Sequence, residues 1–156
     1  MARSALQHEL RKKKPFDMAE EEAGLNLLRS SEFLREPFDR LFAEHGISDP
    51  QYNVLRILRG HGGKGLPCTE ITAQMVSRMP DMTRLVDRLE KGGLVRRCRT
   101  DEDRRMVLIC ITAAGLALLG QLDEPVRKLH QRKLGHLTRG ELAELNRLLV
   151  KTRTTS

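Results

Sequence analysis

The chain has no tryptophan, and its five aromatic residues are Phe16, Phe33, Phe38, Phe42 and Tyr52. Past Tyr52 there is none. A core built over most of this length must therefore rest on Leu, Ile, Val and Met. Readers of single-stranded RNA stack bases on exposed aromatic rings. Their absence across two thirds of the sequence argues against that class. Cysteine is also sparse. Cys68, Cys98 and Cys110 are an odd count with no CxxC, which argues against a disulfide framework or a zinc ribbon. The histidines His8, His45, His61, His130 and His136 are scattered, with no HExxH spacing. His130 and His136 are too isolated to suggest a zinc sensor. There is no GxGxxG, no GxxxxGK[ST] and no GxSxG. No catalytic residue, metal or cofactor is expected, and the chain is not read as an enzyme. No apolar run approaches the ~20 residues that span a bilayer. MARSALQHELRKKK has no apolar segment of the secretory kind. No membrane partner and a cytoplasmic location are the expectation.

What is abundant is positive charge. The 156 residues carry 28 Lys and Arg against 21 Asp and Glu, a formal net charge of +7. That balance favours a polyanionic partner. The length suits one domain with a substantial core.

Helical spacing dominates the pattern. Leu25, Leu28, Leu34, Phe38, Leu41 and Phe42 recur every three or four residues from Asp17 to about His45. Glu20, Glu21 and Glu22 suit the first turns of that helix. Pro37 inside it predicts a kink or a break. A second helix starts at Ser48, where Gln51 three residues on completes a capping box. The glycine-rich HGGKG at 61–65 reads as a connector. A third helix is predicted from about Pro67 to Ser77, with Ile71, Met75 and Val76 or Met79 on its apolar face. A four-residue turn, VSRM, then leads to a fourth helix with Pro80 at its first position. Its inward residues are Met82, Leu85, Val86 and Leu89. Gly92 and Gly93 stop it.

Two strand-like runs follow, LVRRCR and MVLICI, around the charged turn TDEDRR. Thr112 caps a fifth helix through Leu116, Leu119, Leu122, Val126 and Leu129. Gly115 and Gly120 weaken it slightly, and Pro125 predicts a kink. Thr138 and Glu141 form a second capping box at the start of a sixth helix. The expected fold is mainly α with a small β-hairpin wing. It is a winged helix-turn-helix with flanking dimerisation helices. The organisation follows: 1–16 a basic N-terminal arm open to disorder, 17–47 a dimerisation helix, 48–112 the DNA-binding lobe, 113–151 C-terminal dimerisation helices, and 152–156 a tail.

A basic helix leading into a basic hairpin suits duplex DNA. Arg84 and Arg88 lie on the outer face of the fourth helix, where arginine can bond guanine or bridge phosphates. Pro80 offers an apolar contact, and Thr83 can reach a phosphate or a thymine methyl. Asp81 can accept from cytosine, or orient Arg84 and stay off the DNA. Arg78 in the turn and Thr69 near the start of the third helix are placed for phosphates. Arg96, Arg97 and Arg99 line one strand of the wing, and Arg104 and Arg105 crown its tip. Taken singly, Arg84 and Arg88 are better explained by pairing with Asp81, Asp87 or neighbours; taken together with the hairpin and the tight turn, they favour DNA contact. Cys98, between Arg97 and Arg99, has surroundings that can lower a thiol's pKa, although a plain small strand residue is the preferred reading.

The chain also resembles the MarR family of bacterial transcriptional regulators over about residues 25–151. ISDPQYNVLRIL is similar to the family's second helix. MPDMTRLVDRLEKGGLVRR is similar to its recognition helix and wing entry. DRRMVLICIT, Asp103 to Thr112, is similar to its wing signature, D-x-R, five residues, then L-T, with Ile111 in place of the leucine. The resemblance implies a homodimer with two winged lobes on double-stranded DNA. It implies a pseudo-palindromic operator with half-sites about one helical turn apart. It carries over Asp103 and Arg105 as the pair in which the carboxylate aims the arginine. It further implies repression released by a small phenolic or anionic effector. Two other classes stay open on the residues alone: a weakly specific structural DNA binder, and a winged helix that docks another protein.

Overall fold

The computed structural model describes residues 4–99 and 106–154. In chain order the elements are α1 (Ala5–Glu9), α2 (Ala19–Glu44), α3 (Asp49–Gly60), α4 (Cys68–Gln74), α5 (Met82–Lys91), β1 (Val95–Arg99), β2 (Val107–Ile111), α6 (Ala113–Leu134) and α7 (Arg139–Lys151). The fold is mainly α with one antiparallel hairpin, a winged helix with long helices at both ends of the chain. No helix among the described residues is long and apolar enough to cross a membrane. The chain divides into two compact units, residues 1–40 and 41–156, with the division falling inside α2.

In the first unit, the basic N-terminal stretch contains a short helix. Ser4 caps it by accepting from the Gln7 N–H at 3.2 Å. An ion pair between Arg29 and Glu9, 2.8 Å, ties α1 to α2. Glu20, Glu21 and Glu22 occupy the first turn of α2, where the helix dipole favours negative charge. The helix runs on through Pro37 for 26 residues in all, so no break occurs there. Proline removes only its own hydrogen bond, and the turns on either side carry the helix past it.

The second unit holds the winged helix. Its α3 starts as expected: Ser48 and Gln51 form the full capping box. Val54, Leu55, Ile57 and Leu58 of α3, Ile71 of α4, four residues of α5, Val95 and Ile109 of the hairpin, and Leu119 and Leu122 of α6 are all buried. The first half of α6 thus packs with α3 as part of this core. Arg59 and Asp123 reinforce that packing with two parallel hydrogen bonds of 2.9 and 2.8 Å.

Two boundaries differ from the sequence expectation. Helix α4 ends at Gln74, short of Ser77, because Met75 turns extended at φ −66°, ψ 138°. Asn53, a buried polar residue of α3, accepts from the Val76 N–H at 2.8 Å and holds the chain in that course. Val76 is therefore not part of an apolar face; it is 80% exposed. Helix α5 starts at Met82, and Pro80 lies outside it. Asp81 takes the capping position instead, accepting from the Arg84 N–H at 2.9 Å. The connection between α4 and α5 is residues 75–81, longer than the four residues expected.

The hairpin pairs Val95 with Ile111, Arg97 with Ile109 and Arg99 with Val107. Leu66 adds one further rung, exchanging hydrogen bonds with Ile109 at 3.0 and 2.8 Å. The glycine-rich loop before it thus does more than connect. A Cβ at Gly65 would sit 2.6 Å from Cys110 Sγ and 2.9 Å from Leu108 Cβ. Only glycine lets that strand-like segment lie so close to β2.

Candidate nucleic-acid interface

One face of α5 is fixed by the core. Met82, Leu85, Val86 and Leu89 are buried, none more than 8% exposed. Helical spacing then forces Thr83, Arg84, Arg88 and Lys91 outward, and all four are exposed. Gly92 closes the helix, and Gly93, at φ +71°, turns the chain into β1. The left-handed conformation at that point favours glycine.

The acidic residues around this face are already engaged. Asp81 is the helix cap. Asp87 pairs with the Arg97 guanidinium at 2.5 Å, and Glu90 pairs with the same guanidinium through its other terminal nitrogen. Glu90 Oε1 also accepts from the Arg97 backbone N–H at 3.0 Å. The Asp87 carboxylate, followed by Glu90, holds the Arg97 guanidinium more firmly protonated than usual. Neither Arg84 nor Arg88 pairs with a carboxylate among the described residues. The pairing with Asp81 or Asp87 that would have made them ordinary surface charges does not form.

The other sequence candidates surround this helix. Arg78 and Pro80 are exposed in the 75–81 turn, and Thr69 is exposed in the first turn of α4. Arg96 and Arg99 are exposed on β1. Arg97 stands apart, because its side chain is spent on α5. Asp103, Arg104 and Arg105 lie outside the described residues.

Burial, and after it a hydrogen bond with Cys98, push the Cys110 thiol up to about 11. Burial also raises the Cys68 thiol, with Arg97 pulling partly the other way. No group of three or more His, Cys, Asp or Glu that could hold a metal occurs among the described residues.

Two residues that shape this surface, Asn53 and Glu90, were not picked out from sequence, and Asp87 was considered there only as a partner for Arg84 or Arg88. Asn53 fixes the course of the turn, and its signal was a lone amide on an otherwise apolar helix face. Asp87 and Glu90 brace Arg97. Their signal was two acids three apart on a helix that otherwise presents arginines.

The residues 47–107 match the model of the MarR family. The crystal structure of a MarR transcription factor from Planctomyces limnophilus is 43% identical, with a TM-score of 0.67 over 86% of this chain and 97% of that one. A mutant MarR from E. coli, solved in complex with operator DNA, is 27% identical, with a TM-score of 0.73 over 83% of this chain and 91% of that one. The HTH-type transcriptional repressor IacR of Pseudomonas putida is 31% identical over 111 residues, 71% of this chain. That match spans 65% of the repressor's own length, a little under two thirds.

Proposed function

We propose, from the premise that this chain belongs to the MarR family of transcriptional regulators, that it is a homodimeric repressor. It binds a pseudo-palindromic operator on double-stranded DNA and lets go when a small phenolic or anionic effector binds. The observation that carries the DNA-binding part is the state of α5. Its outward arginines, Arg84 and Arg88, have no carboxylate partner among the described residues, while Asp81, Asp87 and Glu90 are bound elsewhere. A helix so prepared offers guanidinium groups to base edges and phosphates in a major groove. Arg78 and Thr69 are placed at its flanks for backbone contacts that set the register. In this reading the wing takes the neighbouring minor groove with Arg96 and, beyond the described residues, Arg104 and Arg105, the last aimed by Asp103. A narrow minor groove concentrates negative potential that attracts arginine.

The test is binding of the full chain to a duplex taken from upstream of its own gene, compared with a scrambled duplex, across a salt series. A preference for the upstream duplex that survives added salt supports the repressor. Equal affinity for both with a steep salt slope points to a structural DNA binder. No binding at low salt leaves protein docking as the role of the winged helix.

A further inference from the structure

We infer that Arg97 is a positioning residue that couples the wing to the recognition helix, and that it does not contact DNA. This rests on the DNA-binding reading above. Three hydrogen bonds carry it, all from Arg97 to α5: one nitrogen of the guanidinium to Asp87, the other to Glu90, and the backbone N–H to Glu90.

Strand geometry explains why this arginine and not its neighbour is used. Side chains alternate across a strand. Arg97 shares its face with Val95 and, across the hairpin, with Ile109, which are 2% and 0% exposed. That face looks toward the core and α5. Arg96 points to the opposite face and is free of any ion pair among the described residues. The partners are spaced to match. Asp87 and Glu90 stand three apart on α5, hence on one side of the helix. A planar guanidinium can bond both at once, which a single ammonium cannot do in the same geometry. The outward N–H of an edge strand is left without a ladder partner, and Glu90 satisfies it here.

The arrangement has two consequences for binding. The first is geometric: β1 cannot slide or rotate against α5 without breaking several bonds, so a helix in one groove and a wing at the next move as one body. The second is electrostatic. Two carboxylates on a DNA-reading helix would repel phosphates. Held against Arg97, they are compensated.

The sign of an acid-removal experiment separates the two roles. The variants are Arg97→Ala, Arg97→Lys, the pair Asp87→Asn with Glu90→Gln, and that pair combined with Arg97→Ala. Each is measured against the upstream and scrambled duplexes across salt, with hydrogen exchange of residues 95–99 followed in the free protein. As a positioning residue, Arg97→Ala costs on the order of tenfold in affinity for the upstream duplex. The acid pair costs a similar factor although it makes the protein more positive, and Arg97→Ala adds nothing on top of it. Arg97→Lys recovers only part of the loss. In every variant the upstream duplex loses more affinity than the scrambled one. General destabilisation would instead lower both duplexes together. Hydrogen exchange across β1 speeds up in each variant.

If removing the acids raises affinity, or if Arg97→Ala lowers the salt slope by about one phosphate contact, Arg97 touches DNA and the inference fails. If the wild-type chain binds neither duplex, the parent reading fails, and hydrogen exchange decides the brace alone: unchanged exchange across β1 in these variants overturns it.

Discussion

Arg84 and Arg97 belong to one basic stretch, yet their surroundings set them to opposite uses. Arg84 projects from α5 with no carboxylate at its guanidinium among the described residues, and Asp81 accepts from its backbone N–H. Arg84→Ala should therefore leave stability almost unchanged and cost about 1–3 kcal/mol at one base pair of the operator, relaxing the preference there. Affinity across duplexes substituted at single positions checks this, and uniform weakening at all positions would make Arg84 a phosphate contact. Arg97 looked equivalent in the sequence because residue type and spacing say nothing about which carboxylate a side chain meets. Its pairing depends on how a strand lies against a helix, a tertiary fact. The glycines of α6 divide in the same way. A Cβ at Gly115 would collide with the Leu94 carbonyl and sit 2.7 Å from Ile111 Cγ1, whereas one at Gly120 meets nothing within 4 Å. Gly115→Ala is expected to destabilise by about 1–3 kcal/mol. Gly120→Ala should stabilise by about 0.5–1 kcal/mol through helix propensity alone. Urea unfolding of the two variants checks both signs. Composition suggested that both glycines merely weaken the helix, which holds only for the one with open space beside it.

At the scale of elements, helices and hairpin were legible because periodicity and capping are local. Ser48 with Gln51, Thr112, and Thr138 with Glu141 all cap where the sequence places them. The α4–α5 connection was misjudged because its end is set by Asn53, 23 residues from the N–H it accepts. The start of α5 was misjudged for a related reason. Pro80 and Asp81 both suit a helix start, and the side-chain cap of Asp81 decides between them. The junction of α3 and α6 has a pH dependence. Arg59, by hydrogen bonding, holds the Asp123 carboxyl below the usual carboxylate range. A carboxyl depressed in the folded state stabilises fully above its unfolded pKa, and that stabilisation disappears as pH falls through the folded value. Asp123 is 51% exposed, so solvent screening limits the pair to about 0.5–1 kcal/mol. Asp123→Asn should lose that amount near neutrality, and the gap to wild type should close in acid. Urea titrations at the two conditions test it; a gap that persists in acid would mean that the pair is not its origin.

For the whole molecule, the proposed dimer is the assumption with the widest reach. Helix α7 has no buried residue, and Leu145, Leu148 and Val150 are exposed on it, as Leu116 is on α6. Leu27 and Leu28 are exposed on α2. Apolar side chains in such numbers on terminal helices fit burial against a second copy. Light scattering at micromolar concentration should report a dimer. A monomer there would remove the two-lobed grip from the proposed function and leave each lobe to bind alone.

The base of the wing is closed by one residue. Thr112 donates through its hydroxyl to the Gly93 carbonyl at 2.7 Å, accepts from the Gly115 N–H at 3.1 Å, and donates its own N–H to the Leu94 carbonyl at 3.1 Å. The entry to β1, the exit from β2 and the start of α6 therefore meet at one knot. Residues 100–105 join the far ends of β1 and β2. A change of length between Arg99 and Met106 is therefore expected to leave the bonds of Thr112 intact. Adding two glycines between Arg99 and Met106 should leave the melting temperature of the chain within a few degrees of wild type, and a large drop would show that the knot does not isolate the tip.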